Sequence, residues 1–175
     1  KTFVPDDNFE SYLESNGMGD GILNNDSVLT NNIYSVLDLD INTQNIFDLT
    51  GIQDFVSLRT LDCSNNVLGS LDLSNNVELR ELNCSYNIIS SLDFSNNLFL
   101  NWLRCDNQLG FLYSLNVSSN DSVTYLRFNN TQITSIDVSN MSLLYYLKCN
   151  GADLDSKYEN DYIINLFKNF KFNDN

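Results

Sequence analysis

Histidine is absent from the sequence of 175 residues, and only nine residues are basic while 23 are acidic. A chain without histidine lacks the commonest general base of enzymes and the commonest metal ligand. The formal charge of −14 disfavours nucleic acids and anionic membranes as partners, because both are also negative. No run of about 18 apolar residues is present, so the sequence predicts no membrane span. It has neither a glycine-rich phosphate loop nor a nucleophile elbow, and we therefore predict a protein that is not an enzyme.

Two patterns recur through most of the chain at the same spacing. The first, Leu-x-x-Leu-x-Cys, starts at Leu58 and returns after steps of 21, 21, 23 and 21 residues, with Phe128 at the cysteine position of the fourth copy. The second, Leu-Asp-Leu-Ser, starts at Leu71 and has steps of 21, 23 and 21 residues. Because the longer step is common to both patterns, we predict two extra residues in a bulged loop around residues 108–111.

Each repeat predicts one coil of a stacked solenoid. Alternation at Leu61, Asp62 and Cys63 turns the first and third side chains inward and the second outward. Successive coils then stack their strands as a parallel sheet, with about 4.8 Å between strands. Asn66 and Asn87 follow the cysteines at a fixed distance, and we expect their buried amides to bond turn backbone groups along the stack.

The repeat LxxLxCxxNxLxxLDLSNNxx resembles the leucine-rich-repeat family, in its bacterial variety with 21-residue repeats. The resemblance covers about residues 36–154. It implies a right-handed solenoid with a parallel β-sheet on the concave face, few helices, short helical caps, and a non-catalytic binding function. It also implies a secreted or surface-attached protein, here a mature chain without its signal peptide and one module of a longer chain. In the later coils the ladder asparagine is replaced by Gln108, Thr131 and Ala152.

Both ends of the stack need caps, because an open solenoid end exposes its apolar core. At the N-terminus we predict a cap over residues 1–35, with a helix over Asn8–Ser15 that Asp6 or Asp7 caps. Residues 155–175 predict a C-terminal cap with a helix over about residues 159–170. An incomplete cap leaves terminal strands open, so end-to-end dimerisation is an additional expectation.

The four cysteines share one inward repeat position, at Cys63, Cys84, Cys105 and Cys149. Zinc ligands come in pairs two to four residues apart, which this spacing does not provide. Neighbouring parallel strands rarely offer disulfide geometry. We therefore predict buried free thiols that act as small apolar core residues.

An acidic column is predicted in the second half of the coils, at Asp72, Asp93, Asn116 and Asp137. One interpretation is that Ca²⁺ bridges the stacked carboxylates. The other is that these side chains accept hydrogen bonds from turn backbone N–H groups. We favour the second, and we predict no other cofactor. The acidic stretch over residues 20–26 lacks the spacing of an EF-hand.

The exposed strand face carries the candidate site. Its first outward column reads Thr60, Glu81, Trp102, Tyr125, Tyr146, and its second reads Asp62, Asn83, Arg104, Arg127, Lys148. A further column of Ser64, Ser85, Asp106, Asn129 and Asn150 is also predicted to face outward. Aromatic residues and arginine dominate binding hot spots, so the ligand-binding residues that we predict are Trp102, Tyr125, Tyr146, Arg104, Arg127 and Lys148.

Several uses of this face are open at the level of sequence. One interpretation is that a protein or peptide docks on it, which the resemblance favours. The rings could instead be a stacking platform for an anionic polysaccharide, whose carboxylates or sulfates would pair with the three cations. A third interpretation makes the solenoid a structural spacer in a larger secreted protein, with rings that only cover one another up the stack.

Overall fold

A single parallel sheet runs the length of the described solenoid. The computed structural model describes residues 1–152, so the predicted C-terminal cap lies outside the described residues. Six three-residue strands pair in the order in which they follow one another along the stack. They are β3 (Asp38–Asp40), β4 (Thr60–Asp62), β5 (Glu81–Asn83), β7 (Trp102–Arg104), β9 (Tyr125–Arg127) and β10 (Tyr146–Lys148).

The register of this sheet confirms the predicted repeat. Leu61 pairs with Leu39 on one side and with Leu82 on the other, and the ladder continues through Leu103 and Leu126. Each step of the ladder equals one repeat, including the longer step of 23 residues between β7 and β9. The solenoid therefore begins one coil before Leu58, the first residue at which the pattern is regular.

The second halves of the coils are mostly irregular, with two further strands. Here β6 (Ser91–Asp93) and β8 (Ser114–Asn116) form a separate parallel pair. Between the two sheets lies a continuous core of leucines, isoleucines and cysteines. Each leucine that a coil buries contributes about 2 kcal/mol through its removal from water, and only the neighbouring coils provide that burial.

Two ladders of side-chain amides satisfy the turns. In the predicted one, Asn87 donates to the carbonyls of Cys63 and Cys84 and accepts from the amide of Leu68. Gln108 continues this ladder, donating to the Cys84 carbonyl at 2.7 Å and accepting from the amide of Ile89. The glutamine substitution therefore preserves the turn.

The second ladder lies in the opposite turns and is not among the features predicted from the sequence. Asn97 donates to the carbonyls of Leu73 and Asn76, at 3.0 and 2.9 Å. Asn76 and Asn120 make the equivalent pairs of bonds one coil before and one coil after. The signal in the sequence is an asparagine two residues after the serine in the first three Leu-Asp-Leu-Ser copies, at Asn76, Asn97 and Asn120, which recurs at the steps of the repeat.

A short helix closes the N-terminal end, as predicted. Helix α1 (Asp7–Ser15) starts at Asp7, and the fully buried Asp6 caps it by accepting from the amides of Asn8 and Phe9. The other carboxylate oxygen of Asp6 accepts from the amides of Phe47 and Asp48, which fastens the helix to the first coil. Strands β1 (Thr2–Phe3) and β2 (Ser27–Val28), helix α2 (Thr30–Ile33) and a 3₁₀ turn (Ile52–Asp54) complete this end.

The bulged loop is also where the spacing predicts it. Leu109 and Gly110 adopt positive φ values of 48° and 79°, and the amide of Phe111 donates to the carbonyl of Gln108. The insertion leaves Leu109 and Phe111 exposed. Within residues 1–152, every helix is too short or too polar to cross a membrane.

Candidate binding face on the six-stranded sheet

The sheet face consists of the two outward columns of the six strands. The first column is Asp38, Thr60, Glu81, Trp102, Tyr125 and Tyr146, and the second is Asp40, Asp62, Asn83, Arg104, Arg127 and Lys148. Register places the six predicted ligand-binding residues side by side on three neighbouring strands, β7, β9 and β10. All six are half-buried, so each presents part of its side chain to solvent.

The three aromatic residues of the first column form a ring stack. Trp102 and Tyr125 have ring centroids 5.0 Å apart with 12° between their planes, and Tyr125 and Tyr146 are 4.4 Å apart with 4° between theirs. The rings therefore stand upright on the sheet and cover one another's faces. What they present to solvent is ring edges and polar tips, which disfavours a platform on which a sugar ring lies flat.

A buried carboxylate organises the cations of the second column. Asp106 is fully buried, and its Oδ2 atom lies 2.9 Å from Nε of Arg104 and 2.8 Å from a terminal nitrogen of Arg127. Its Oδ1 atom accepts from the backbone amide and the side-chain amide of Asn129, at 2.7 and 2.8 Å. One carboxylate thus fixes two guanidinium groups whose side chains remain 30% and 23% exposed.

The column that contains Asp106 corrects a prediction. Ser64, Ser85, Asp106 and Asn129 are buried rather than outward-facing, and of that column only Asn150 is exposed. The strands end two residues before this column, so alternation no longer decides where its side chains point. The signal available in the sequence was a single acid among serines and asparagines, two residues after an arginine.

The surroundings of Arg127 favour its charged form. Burial alone lowers the pKa of its guanidinium, but a hydrogen bond with Tyr125 and the charge of Asp106 outweigh that effect and raise the pKa above its ordinary value. Arg127 therefore keeps its positive charge at all accessible pH values. Because Asp106 already pairs with it and with Arg104, the cluster of these three residues has a net charge of only one.

The acidic column on the other side of the coils has the geometry of turn caps. Asp72, Asp93 and Asp137 each accept from the amide of the serine two residues later, at 2.8–2.9 Å. Hydrogen bonds from these serines lower the pKa of each carboxyl group below its ordinary value. The contacts match the turn-capping interpretation, and Ca²⁺ along this column stays a prediction.

Another acidic group lies in the N-terminal cap. Carboxylate oxygens of Asp7, Glu10 and Asp26 lie within 4.8 Å of one another. Both oxygens of the buried Glu10 already accept bonds from the backbone amides of Asn25 and Asp26. These contacts fasten the loop between α1 and β2, and this group is remote in sequence from the sheet face.

Three of the four cysteines are buried free thiols, as predicted: Cys63, Cys84 and Cys105. Burial raises the pKa of each of these thiols well above its ordinary value, so they stay protonated and unreactive at neutral pH. Cys149 is half-buried in the last described coil. Phe128 takes the equivalent inward position in the coil between them and is fully buried.

No protein-family model and no curated protein matches the sequence. Solved structures do match it. The functional domain of InlJ from Listeria monocytogenes, which includes a cysteine ladder, is 28% identical with a TM-score of 0.64, over 87% of this chain and 38% of that one. This chain is a leucine-rich-repeat solenoid.

Two further leucine-rich-repeat structures share the fold. An internalin from Listeria monocytogenes is 23% identical with a TM-score of 0.65, over 72% of this chain and 38% of its own. A leucine-rich-repeat protein from Leptospira interrogans is 20% identical with a TM-score of 0.73, over 78% of this chain and 37% of its own. This solenoid therefore spans less than two fifths of the length of each of these three chains.

Proposed function

We propose that this leucine-rich-repeat solenoid is a non-catalytic binding module that docks a protein partner on its sheet face. The observation that carries the proposal is the buried Asp106, which holds Arg104 and Arg127 in fixed orientations at the surface. A guanidinium that is already ordered loses less conformational entropy when it binds. Arginine and large aromatic residues are also the side chains that most often dominate protein interfaces.

The same geometry separates this proposal from its alternatives. An anionic polysaccharide that stacks on aromatic rings needs open ring faces, but neighbouring rings cover both faces of Tyr125 and one face each of Trp102 and Tyr146. The ring stack agrees with a structural spacer, but a spacer needs no ordered cations on its surface. The resemblance of the repeat to bacterial leucine-rich repeats supports an extracellular or surface location, which we propose together with the binding function.

The test is a binding screen against purified secreted and surface proteins, with acidic oligosaccharides as a second arm. Any partner is then titrated against two variants of the sheet face, Trp102→Ala and Arg104→Ala. Loss of one hot-spot residue weakens binding by about 2 kcal/mol, which is roughly 30-fold in the dissociation constant. Matched controls are Phe99→Ala and Tyr113→Ala, because both rings are exposed outside the sheet face.

Each outcome has a defined meaning. A protein partner that both face variants lose and both controls keep supports the proposal. If the chain binds acidic oligosaccharides in a salt-sensitive way and has no protein partner, the result supports polysaccharide recognition in place of protein binding. A protein partner that binds both face variants as well as wild type overturns the assignment of this face, and silence in both arms favours a spacer.

A further inference from the structure

Charge on the sheet face changes sign at its midpoint. In the second column, strands β3 and β4 carry Asp40 and Asp62, and β5 carries Asn83. From the next strand onward every residue of the column is a cation: Arg104, Arg127 and Lys148. The column therefore reads negative, negative, neutral, positive, positive, positive along six consecutive strands.

The first column has the same polarity in its hydrogen-bonding groups. Asp38 and Glu81 provide carboxylate acceptors in the N-terminal half, whereas Trp102, Tyr125 and Tyr146 provide an indole N–H and two hydroxyl donors in the C-terminal half. The carboxylates of this column thus lie in one half of the face, and its indole and phenol groups lie in the other. An order of this kind is complementary to its own reversed copy.

Geometry allows that reversed copy to dock in register. A two-fold axis parallel to the strands, in the plane between two sheet faces, reverses the strand order and keeps each column opposite itself. Asp40 then faces Lys148 of the second copy, Asp62 faces Arg127, and Asn83 faces Arg104. Because both copies have the same strand spacing of about 4.8 Å, all of these pairs meet together, and symmetry forms each of them twice.

Both halves of the face are ordered before any docking. Asp62 accepts from the amide of Ser64 at 2.9 Å and from the side-chain amide of Asn83 at 2.9 Å. On the other half, Asp106 orders Arg104 and Arg127. Charges that are already fixed lose little entropy when they pair, which favours docking between such surfaces.

We propose that two copies of this chain associate through their sheet faces in antiparallel orientation, an inference that rests on the proposed binding function of the face. The six strands span only about 24 Å, so the contact is smaller than a standard interface of about 800 Å² per partner. The dimer is therefore weak. It forms at high protein concentration. Salt screens its solvent-accessible charge pairs, but it also screens the repulsion between two copies that each carry a net charge of −14.

Sedimentation equilibrium from micromolar to submillimolar protein, at low and high salt, measures this association. Two charge reversals at the edges of the face, Asp40→Lys and Lys148→Glu, leave the Asp106 cluster intact. Each reversal turns two attractive pairs into repulsive ones, and we expect self-association of either variant to weaken about tenfold or more. An equimolar mixture of the two variants restores both attractive pairs and should associate as wild type does.

A matched control is Asp121→Lys, which changes net charge as Asp40→Lys does but lies outside the two columns of the face. Recovery in the mixture also shows that both variants fold. A wild-type chain that stays monomeric at both salt concentrations overturns the inference, and so does a dimer that ignores both reversals, as an end-to-end dimer through terminal strands would. In either case the proposed function is still supported if the monomeric chain binds a different protein and Trp102→Ala abolishes that binding.

Discussion

Removal of the charge of Asp106 is the sharpest test of the binding face, because this residue is buried and contacts four donors. The substitution Asp106→Asn keeps the volume of the side chain but replaces one carboxylate oxygen by an N–H₂ group. Whichever way the amide turns, two of the four donors lose their acceptor: either the pair from Asn129 or the nitrogens of Arg104 and Arg127.

Hydrogen bonds to a charged group contribute about 1.5–3 kcal/mol each. The two arginine side chains are partly exposed and regain some hydration, so their share must be discounted. We therefore expect Asp106→Asn to lower the free energy of unfolding by about 2–4 kcal/mol. Its effect should change little between low and high salt, because a buried pair is poorly screened.

Urea unfolding followed by circular dichroism measures this change, with Arg104→Met in both backgrounds to isolate the coupling between the two residues. Partner affinity of the folded Asp106→Asn variant should also fall, since its guanidinium groups are no longer held in place. If the free energy of unfolding of Asp106→Asn lies within about 0.5 kcal/mol of the wild-type value, Asp106 does not organise the cations. The main support for the proposed function is then lost.

Three more predictions concern the solenoid around the face. Asn97→Ala removes two buried hydrogen bonds, although the carbonyls of Leu73 and Asn76 keep their bonds from backbone amides, and it should destabilise the chain by about 1–3 kcal/mol. Asn96→Ala on the exposed neighbour should cost under about 0.5 kcal/mol. A thiol reagent should modify Cys149 first in the native protein, and only unfolding should expose Cys63, Cys84 and Cys105. Asp93 has a lowered pKa in the folded chain, so its carboxylate stabilises above the unfolded pKa and stops doing so as pH falls through the folded pKa. Asp93→Asn should therefore be slightly less stable than wild type at pH 7, by under about 0.5 kcal/mol, and equal to it in acid.

Each of these predictions has an outcome that contradicts it. Equal stability of the Asn97 and Asn96 variants would mean that the second ladder does not satisfy its turns. Native labelling of the three buried thiols would show that the core is open. An unfolding temperature that added Ca²⁺ raises in wild type but not in Asp93→Asn would favour the calcium interpretation over turn capping.

Periodicity in the sequence was sufficient to predict the stack. Two patterns with the same steps predicted the coil, its inward leucines, the thiol column and the bulged loop, because a repeated length forces equivalent residues into contact. Prediction of the N-terminal helix was also sound, since an aspartate before an apolar-periodic segment is a strong local signal. The boundaries of the caps, 1–35 and 155–175, stay a prediction.

Beyond the strands, the sequence pattern did not predict correctly which way the side chains point. Ser64 and Asp106 follow the last strand residue by two positions, and there the chain has already turned toward the core. Alternation holds only while the backbone stays extended, and no local signal marks its end in these coils. Asp106, the residue on which the proposed function most depends, was therefore predicted to face outward although it is buried.

The ring stack shows why a column of residues does not by itself name a ligand. Sequence places Trp102, Tyr125 and Tyr146 at successive strands, about 4.8 Å apart. Rings on neighbouring strands either stack face to face or turn away from one another and leave their faces open, and both arrangements satisfy the same pattern. The centroid separations of 5.0 and 4.4 Å, with planes nearly parallel, are those of the stacked, upright arrangement. Sugars stack on ring faces, whereas ring edges with N–H and O–H tips suit the polar and apolar groups of a protein surface, so the orientation of three side chains decides which class of partner the face fits.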